Sequence, residues 1–178
     1  TITEPPQLTV SISTQTNISC NGGGDGTASA SGSGGTGTFS YTWSTTPNQL
    51  TAIATGLSAQ TYTVTVTDAS NCTATNSVTI TEPPQLTVSI STQTNVSCFG
   101  GSDGTSTATG VGGTAGYNYV WNDPAPAQST ALVTGLTNGT WNVTVTDSKG
   151  CTVVSSVTIT QPTAAVSVTF TQTNVSCF

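Results

Sequence analysis

Apolar and polar positions alternate along most of this chain. Leu8, Val10 and Ile12 are separated by Thr and Ser, and the same spacing carries Phe39, Tyr41 and Trp43, then Tyr62, Val64 and Val66, then Val78 and Ile80. β-branched and aromatic residues at every second place, broken every eight to twelve residues by Gly, Pro, Asn or Asp, predict antiparallel strands with one face buried. The expected strands lie near 7–13, 27–33, 38–45, 50–57, 61–68 and 73–81, with a further short edge strand near 46–49. No stretch carries a helical period, so the expected class is all-β, an antiparallel sandwich without helices. Trp43 and Tyr62 are its expected core aromatics, and Trp121 and Trp141 are theirs in a second copy of the pattern.

That second copy is written almost verbatim. Residues 1–17 recur without change as residues 79–95, Trp43 and Cys20 recur 78 places on as Trp121 and Cys98, and Leu57, Tyr62, Asp68 and Cys72 recur 79 places on as Leu136, Trp141, Asp147 and Cys151. One residue is therefore inserted between Trp121 and Leu136. A third copy opens after Pro162 and reaches Thr-Gln-Thr-Asn at 171–174. The expected divisions are the end of a preceding repeat at 1–6, sandwich repeats at 7–82 and 83–161, and the start of a third at 162–178, a window from a longer array. Glu-Pro-Pro-Gln at 82–85 is a short, stiff linker, which predicts repeats stacked end to end.

Composition removes several classes of function. One basic residue, Lys149, stands against seven acidic ones, and there is no His. The positive footprint that nucleic acid or an anionic membrane surface demands is missing. No apolar run approaches the length of a membrane span and no signal peptide is present. Without His, a serine or cysteine nucleophile has no base beyond isolated carboxylates and one Lys, so catalysis is not expected. Thr makes up close to a quarter of the chain. A surface of hydroxyls and amides replaces charge, by solvation, by glycans or by packing against other chains.

Five cysteines occupy equivalent places: Cys20 and Cys72, Cys98 and Cys151, and Cys177. Their spacing is that of disulfides in an oxidising compartment, not of a metal site. Pairing within a repeat joins Cys20 to Cys72 and Cys98 to Cys151; pairing across the junction joins Cys72 to Cys98 and Cys151 to Cys177. Free thiols are the third alternative, and spacing does not choose among them.

The acidic residues also repeat. Asp25 and Asp103 sit in Gly-rich turns, and Asp68 and Asp147 at strand ends. Hard oxygen ligands of this kind make calcium the one candidate metal, set against Asp that caps its own turn; otherwise no cofactor is expected. Phe99 and Phe178 follow the first cysteine of their repeats, where Asn21 stands in the first. They are candidate contacts to a neighbouring repeat or ligand.

Gly56, Leu57 and Tyr62 have the layout of the corner in immunoglobulin-like sandwiches, where a tyrosine hydroxyl ties back to nearby backbone. Taken together, the recurring motifs resemble a known family. These are Cys-Asn-Gly-Gly-Gly-Asp-Gly-Thr at 20–27 and Cys-Phe-Gly-Gly-Ser-Asp-Gly-Thr at 98–105, then Gly-Gly-Thr ahead of an aromatic strand ending in Trp, then Gly-Leu ahead of Tyr62 or Trp141. The set is similar to the SprB-type repeat of large surface adhesins of gliding gram-negative bacteria, exported by type IX secretion. The resemblance implies an extracellular filament at the cell surface, a stalk of tandem domains for attachment and gliding. Its expected partners are neighbouring repeats and a surface polysaccharide or solid surface. A rival keeps the fold but packs several copies into a fibre through their Thr-rich faces. A more distant one reads the Thr ladders as an ice- or carbohydrate-binding face.

Overall fold

The computed structural model describes residues 3–122 and 128–174. Twelve strands form among them and no helix, so no helix is long and apolar enough to cross a membrane. Two compact units arise. One runs to Thr87 and also takes in Val111–Gly116 and Asp147–Cys151; the other holds Val88–Gly110, Tyr117–Thr146 and the residues from Thr152 on.

In the first unit, strands β1 (Thr9–Thr16), β2 (Gly26–Ser33) and β4 (Ile53–Leu57) form one sheet. Strands β3 (Ser40–Trp43), β5 (Gln60–Thr67) and β6 (Thr73–Ile80) form the other. The orders are β1-β2-β4 and β3-β5-β6, every pair antiparallel. The period-two pattern fixes which face is buried. On β5, Tyr62, Val64 and Val66 turn inward and are buried, while the intervening Thr residues turn out. Across the sandwich they meet Ala28, Ala30, Ala54 and Leu57, with Trp43, Val78 and Ile80 filling the space between. Small alanines on β2 and β4 opposite a large Trp are what two sheets about 10 Å apart require.

The repeated sequence gives the repeated topology. Strands β7 (Thr87–Thr94), β8 (Gly104–Val111) and β10 (Leu132–Leu136) pair in the order β7-β8-β10. Strands β9 (Asn118–Trp121), β11 (Gly139–Thr146) and β12 (Thr152–Ile159) pair in the order β9-β11-β12. Trp121, Leu136, Val143, Val145 and Ile159 fill this second core.

Buried polar ends find partners. The indole N–H of Trp43 donates to the Thr51 carbonyl and that of Trp121 to the Thr130 carbonyl, both at 3.0 Å. At the corner, the Tyr62 hydroxyl accepts the Ser58 N–H at 3.0 Å and donates to the Ser58 carbonyl at 3.2 Å. Where Trp141 replaces the tyrosine, its N–H donates to the Thr137 carbonyl at 3.0 Å. A different donor makes the same tie, so Tyr62→Phe is expected to cost about 1 kcal/mol and Tyr62→Trp much less, compared by urea unfolding.

The sequence and the structure part at 46–49. These residues do not form a strand: a cis Thr46–Pro47 bond turns the chain, and Gln49 returns its carbonyl to the Trp43 N–H at 2.9 Å. Local turn formation takes the backbone groups that an edge strand would use. Residues 163–174 form no strand either, and Val166, Val168 and Phe170 stand exposed there. The strands that pair with the equivalent segments, β2 and β8, have no third counterpart in this sequence.

Candidate functional site at the repeat ends

Chemistry in this chain collects at the two ends of each sandwich. At one end β5 runs into the turn Asp68–Cys72. One Asp68 carboxylate oxygen accepts the Thr36 N–H at 2.8 Å and its hydroxyl at 3.1 Å. The other accepts the N–H groups of Ser70 and Cys72, both at 2.9 Å. Asp147 repeats this with the N–H groups of Thr114 at 2.8 Å and of Lys149 and Cys151 at 2.9 Å. Glycine is required beside each carboxylate. A Cβ on Gly35 would stand 2.7 Å from Asp68 Oδ2 and one on Gly113 2.5 Å from Asp147 Oδ2, and both backbones have a φ of +57°. The N–H groups of these same glycines donate to Pro6 and Pro84 at 2.8 Å. The Gly-Gly-Thr motif thus seats a linker proline on one side and cradles an aspartate on the other.

At the opposite end the Gly-rich turn folds around a second aspartate. Asp25 accepts the Ser19 N–H at 3.0 Å, and Asp103 accepts that of Ser97 at 3.0 Å together with the Ser97 hydroxyl. The chain leaving the sandwich is fastened here. Glu82 accepts the Gly22 N–H at 2.6 Å, and Asn21 donates its amide to the Pro83 carbonyl at 3.1 Å. In the second unit Gln161 accepts the Gly100 N–H at 2.8 Å. A single side-chain oxygen suffices, which explains how glutamine replaces glutamate at this place.

All four aspartates are held below the usual carboxyl range. For Asp68, burial opposes ionisation, but the Thr36, Cys72 and Ser70 N–H groups and the Thr36 hydroxyl outweigh it. For Asp147 the Thr114 N–H leads, against burial, with the N–H groups of Cys151, Lys149 and Gly150 adding to it. Asp25 and Asp103 are lowered by the hydroxyl and N–H of Ser19 and Ser97. Folding therefore lowers each pKa, and the stability these groups add is fully present above about pH 4. It is lost as pH falls through the folded values. Asp68→Asn is expected to lower the urea midpoint at pH 7 and to flatten its decline below pH 4.

The sequence-derived candidates are distributed as follows. Asp25 and Asp68 stand at opposite ends of one sandwich, as Asp103 and Asp147 do in the other repeat, and their oxygens already accept the N–H and O–H groups just named. Among the described residues no three His, Cys, Asp or Glu side chains gather in one place. Phe99 is half exposed and lines a cavity of about 280 Å³ with Cys98, Pro162 and Val166. Phe178 and Cys177 lie outside the described residues. Trp43, Tyr62, Trp121 and Trp141 are buried.

The cysteine pairing is neither the within-repeat nor the cross-junction scheme. Cys20 is bonded to Cys151, with S–S 2.02 Å and Cα–Cα 5.6 Å, and Cys72 and Cys98 are exposed free thiols. The physical reason is where the strands put the cysteines. Cys72 immediately precedes β6, while the far end of that strand meets the turn carrying Cys20, since the Ile18 N–H donates to the Thr81 carbonyl. Eight residues at about 3.3 Å each separate the two by roughly 26 Å, far beyond disulfide reach. Both members of the observed bond belong to the first compact unit, which includes the Asp147–Cys151 turn.

Tandem immunoglobulin-like sandwiches whose ends are tied by aspartate-capped turns define the class: structural repeats. The SprB repeat model matches the chain twice, at residues 12–48 and 90–126, so each full repeat carries one. These spans hold the first cysteine, the Asp-Gly-Thr turn, the Gly-Gly-Thr motif and the core Trp. No curated protein matches. Among solved structures, the chain is similar to the three N-terminal domains of the bacteriophage RB49 highly immunogenic outer capsid protein, at 20% identity and TM-score 0.53. That match covers 87% of this chain and 59% of the other, so the chain spans about three-fifths of its length. A lower likeness, TM-score 0.37 at 16% identity, is to the amphioxus IgVJ-C2 molecule, covering 89% of this chain and 99% of that one. Another, TM-score 0.32 at 16% identity, is to domains 4–9 of the surface layer protein SbsC, covering 90% and 31%.

Proposed function

We propose that this chain is a structural stretch of an extracellular filament or adhesin at the surface of a gram-negative bacterium, a stiff stalk that serves attachment and, in a gliding cell, motility. The observation that carries the reading is the treatment of the linker. From Thr81 to Pro84 each residue is hydrogen-bonded: Thr81 through its N–H to Asn17 and its carbonyl to Ile18, Glu82 to Gly22, Pro83 to Asn21 and Pro84 to Gly113. A linker tied from Glu82 to Pro84 favours a stiff passage over a floppy one. Small-angle scattering tests this. At roughly 30–40 Å of advance per repeat, the chain is expected to reach a maximum dimension of about twice one repeat; a value near that of one repeat sinks the stalk. Antibodies against the chain are expected to label intact cells of the source bacterium, and labelling only after lysis overturns the surface assignment.

A second reading is supported by the outer face of β5 and β6. Thr61 faces Thr79, Thr65 faces Thr75 and Thr67 faces Thr73, and the Thr61 and Thr79 hydroxyls bond each other at 2.9 Å. Such an uncharged ladder suits lateral packing of copies into a fibre. Cryo-electron microscopy of the native filament decides between them by the number of chains in its cross-section.

A further inference from the structure

The bonded cysteines are not equivalent to one another. Cys20 is a first cysteine of its repeat and Cys151 a second cysteine of the next, 131 residues on. The two exposed thiols are the remaining members of the same set: Cys98 is a first cysteine and Cys72 a second. Each is built as its bonded counterpart is. The Gly101 N–H donates to the Cys98 carbonyl at 3.0 Å as the Gly23 N–H does to Cys20 at 2.9 Å. Ser97 bonds Asp103 as Ser19 bonds Asp25. Cys72 donates its N–H to Asp68 at 2.9 Å as Cys151 does to Asp147.

Both thiols also line a space. Cys98 borders the cavity of about 280 Å³ with Ser97, Phe99, Pro162 and Val166. Cys72 borders another of about 280 Å³ with Pro6, Leu8, Gly35 and Asp68. At Cys20 the corresponding position is taken. The Cys151 sulfur sits there, 3.4 Å from the Ser19 carbonyl.

We propose that the cavity at Cys98 receives the Asp-to-Cys turn of a following SprB repeat, the counterpart of Asp147–Cys151, and that a disulfide from Cys98 to that turn's cysteine closes it. Cys72 makes the reciprocal bond to the first cysteine of a preceding repeat. Every junction of the array then carries one covalent staple, offset by one repeat from the pairing its cysteine count suggests. Each bond forms as two thiols lose two protons and two electrons to a low-molecular-weight disulfide such as oxidised glutathione, which leaves as two thiols. The inference rests on the array reading only in needing a further repeat.

The test completes that repeat. Phe178 corresponds to Phe99, so continuing the chain after Phe178 with a second copy of residues 100–178 supplies a whole third repeat. After equilibration in a glutathione redox buffer, free thiols are alkylated and bridged peptides mapped without reduction. The expected result is Cys20 linked to Cys151, Cys98 linked to the added copy of Cys151, and Cys72 alkylated, each stoichiometric. Cys98→Ser in the same chain is expected to leave the added cysteine alkylated and the Cys20 bridge intact. An alkylated or otherwise paired Cys98, or an alkylated Cys20, overturns the proposal. Scattering from the reduced extended chain reports separately on the stalk: a length that grows by one repeat while Cys98 stays alkylated sinks the staple and leaves the array standing.

Discussion

Cys20→Ser is expected to lower unfolding free energy by about 5 kcal/mol, because the bond closes a loop of 131 residues and the entropy removed from the unfolded chain grows with the logarithm of loop length. Cys151→Ser should cost the same, and the double variant no more than either alone, since both single changes delete one and the same constraint. Cys72→Ser should be nearly silent by comparison, its thiol being exposed and unbonded. Urea unfolding of the wild type and the four variants, with and without reductant, separates these outcomes. Equal stability of the oxidised wild type and Cys20→Ser would show that the bond constrains nothing, and the reduced wild type should behave as the variants do. A loss this large approaches the whole stability of a small domain.

How far the chain could be read without coordinates depended on how local the cause was. Strands followed from alternation because burial of one face is decided residue by residue, and each of the six expected strands of the first repeat is present within a few residues. The corner tie at Tyr62 was legible because its partner is four residues away. The cysteine pairing was not, because it depends on which end of a strand each cysteine reaches and on the passage from one repeat to the next. Nothing in the spacing of Cys20 and Cys72 says that β6 holds them at opposite ends. The role of Gly-Gly-Thr was half legible. Its glycines announced a turn, whereas the aspartate it cradles lies more than thirty residues on. The motif recurs together with Asp68 and Asp147 at nearly the same offset, and that joint recurrence was the signal available to link them.

Trp43→Ala is expected to cost about 4 kcal/mol and to unfold the first sandwich ahead of the second. The side chain is fully buried, lies between the two sheets and has small residues opposite it, Ala28 and Ala54, which cannot move in to fill the space it leaves. Truncation also strands the Thr51 carbonyl, which the indole N–H now satisfies at 3.0 Å, so the cavity and the lost partner act together. Trp43→Phe keeps most of the apolar volume and should lose markedly less, the difference reporting on the hydrogen bond and the missing ring. Because Trp43 is the one tryptophan of the first repeat, fluorescence of the alanine variant arises in the second repeat alone. Its transition, compared with the loss of strand signal in circular dichroism, reads the two sandwiches separately. Coincident transitions in the variant would mean that the repeats fold as one cooperative body; an early loss of about half the strand signal, with the second-repeat tryptophans still buried, is the result that separate hydrophobic cores require.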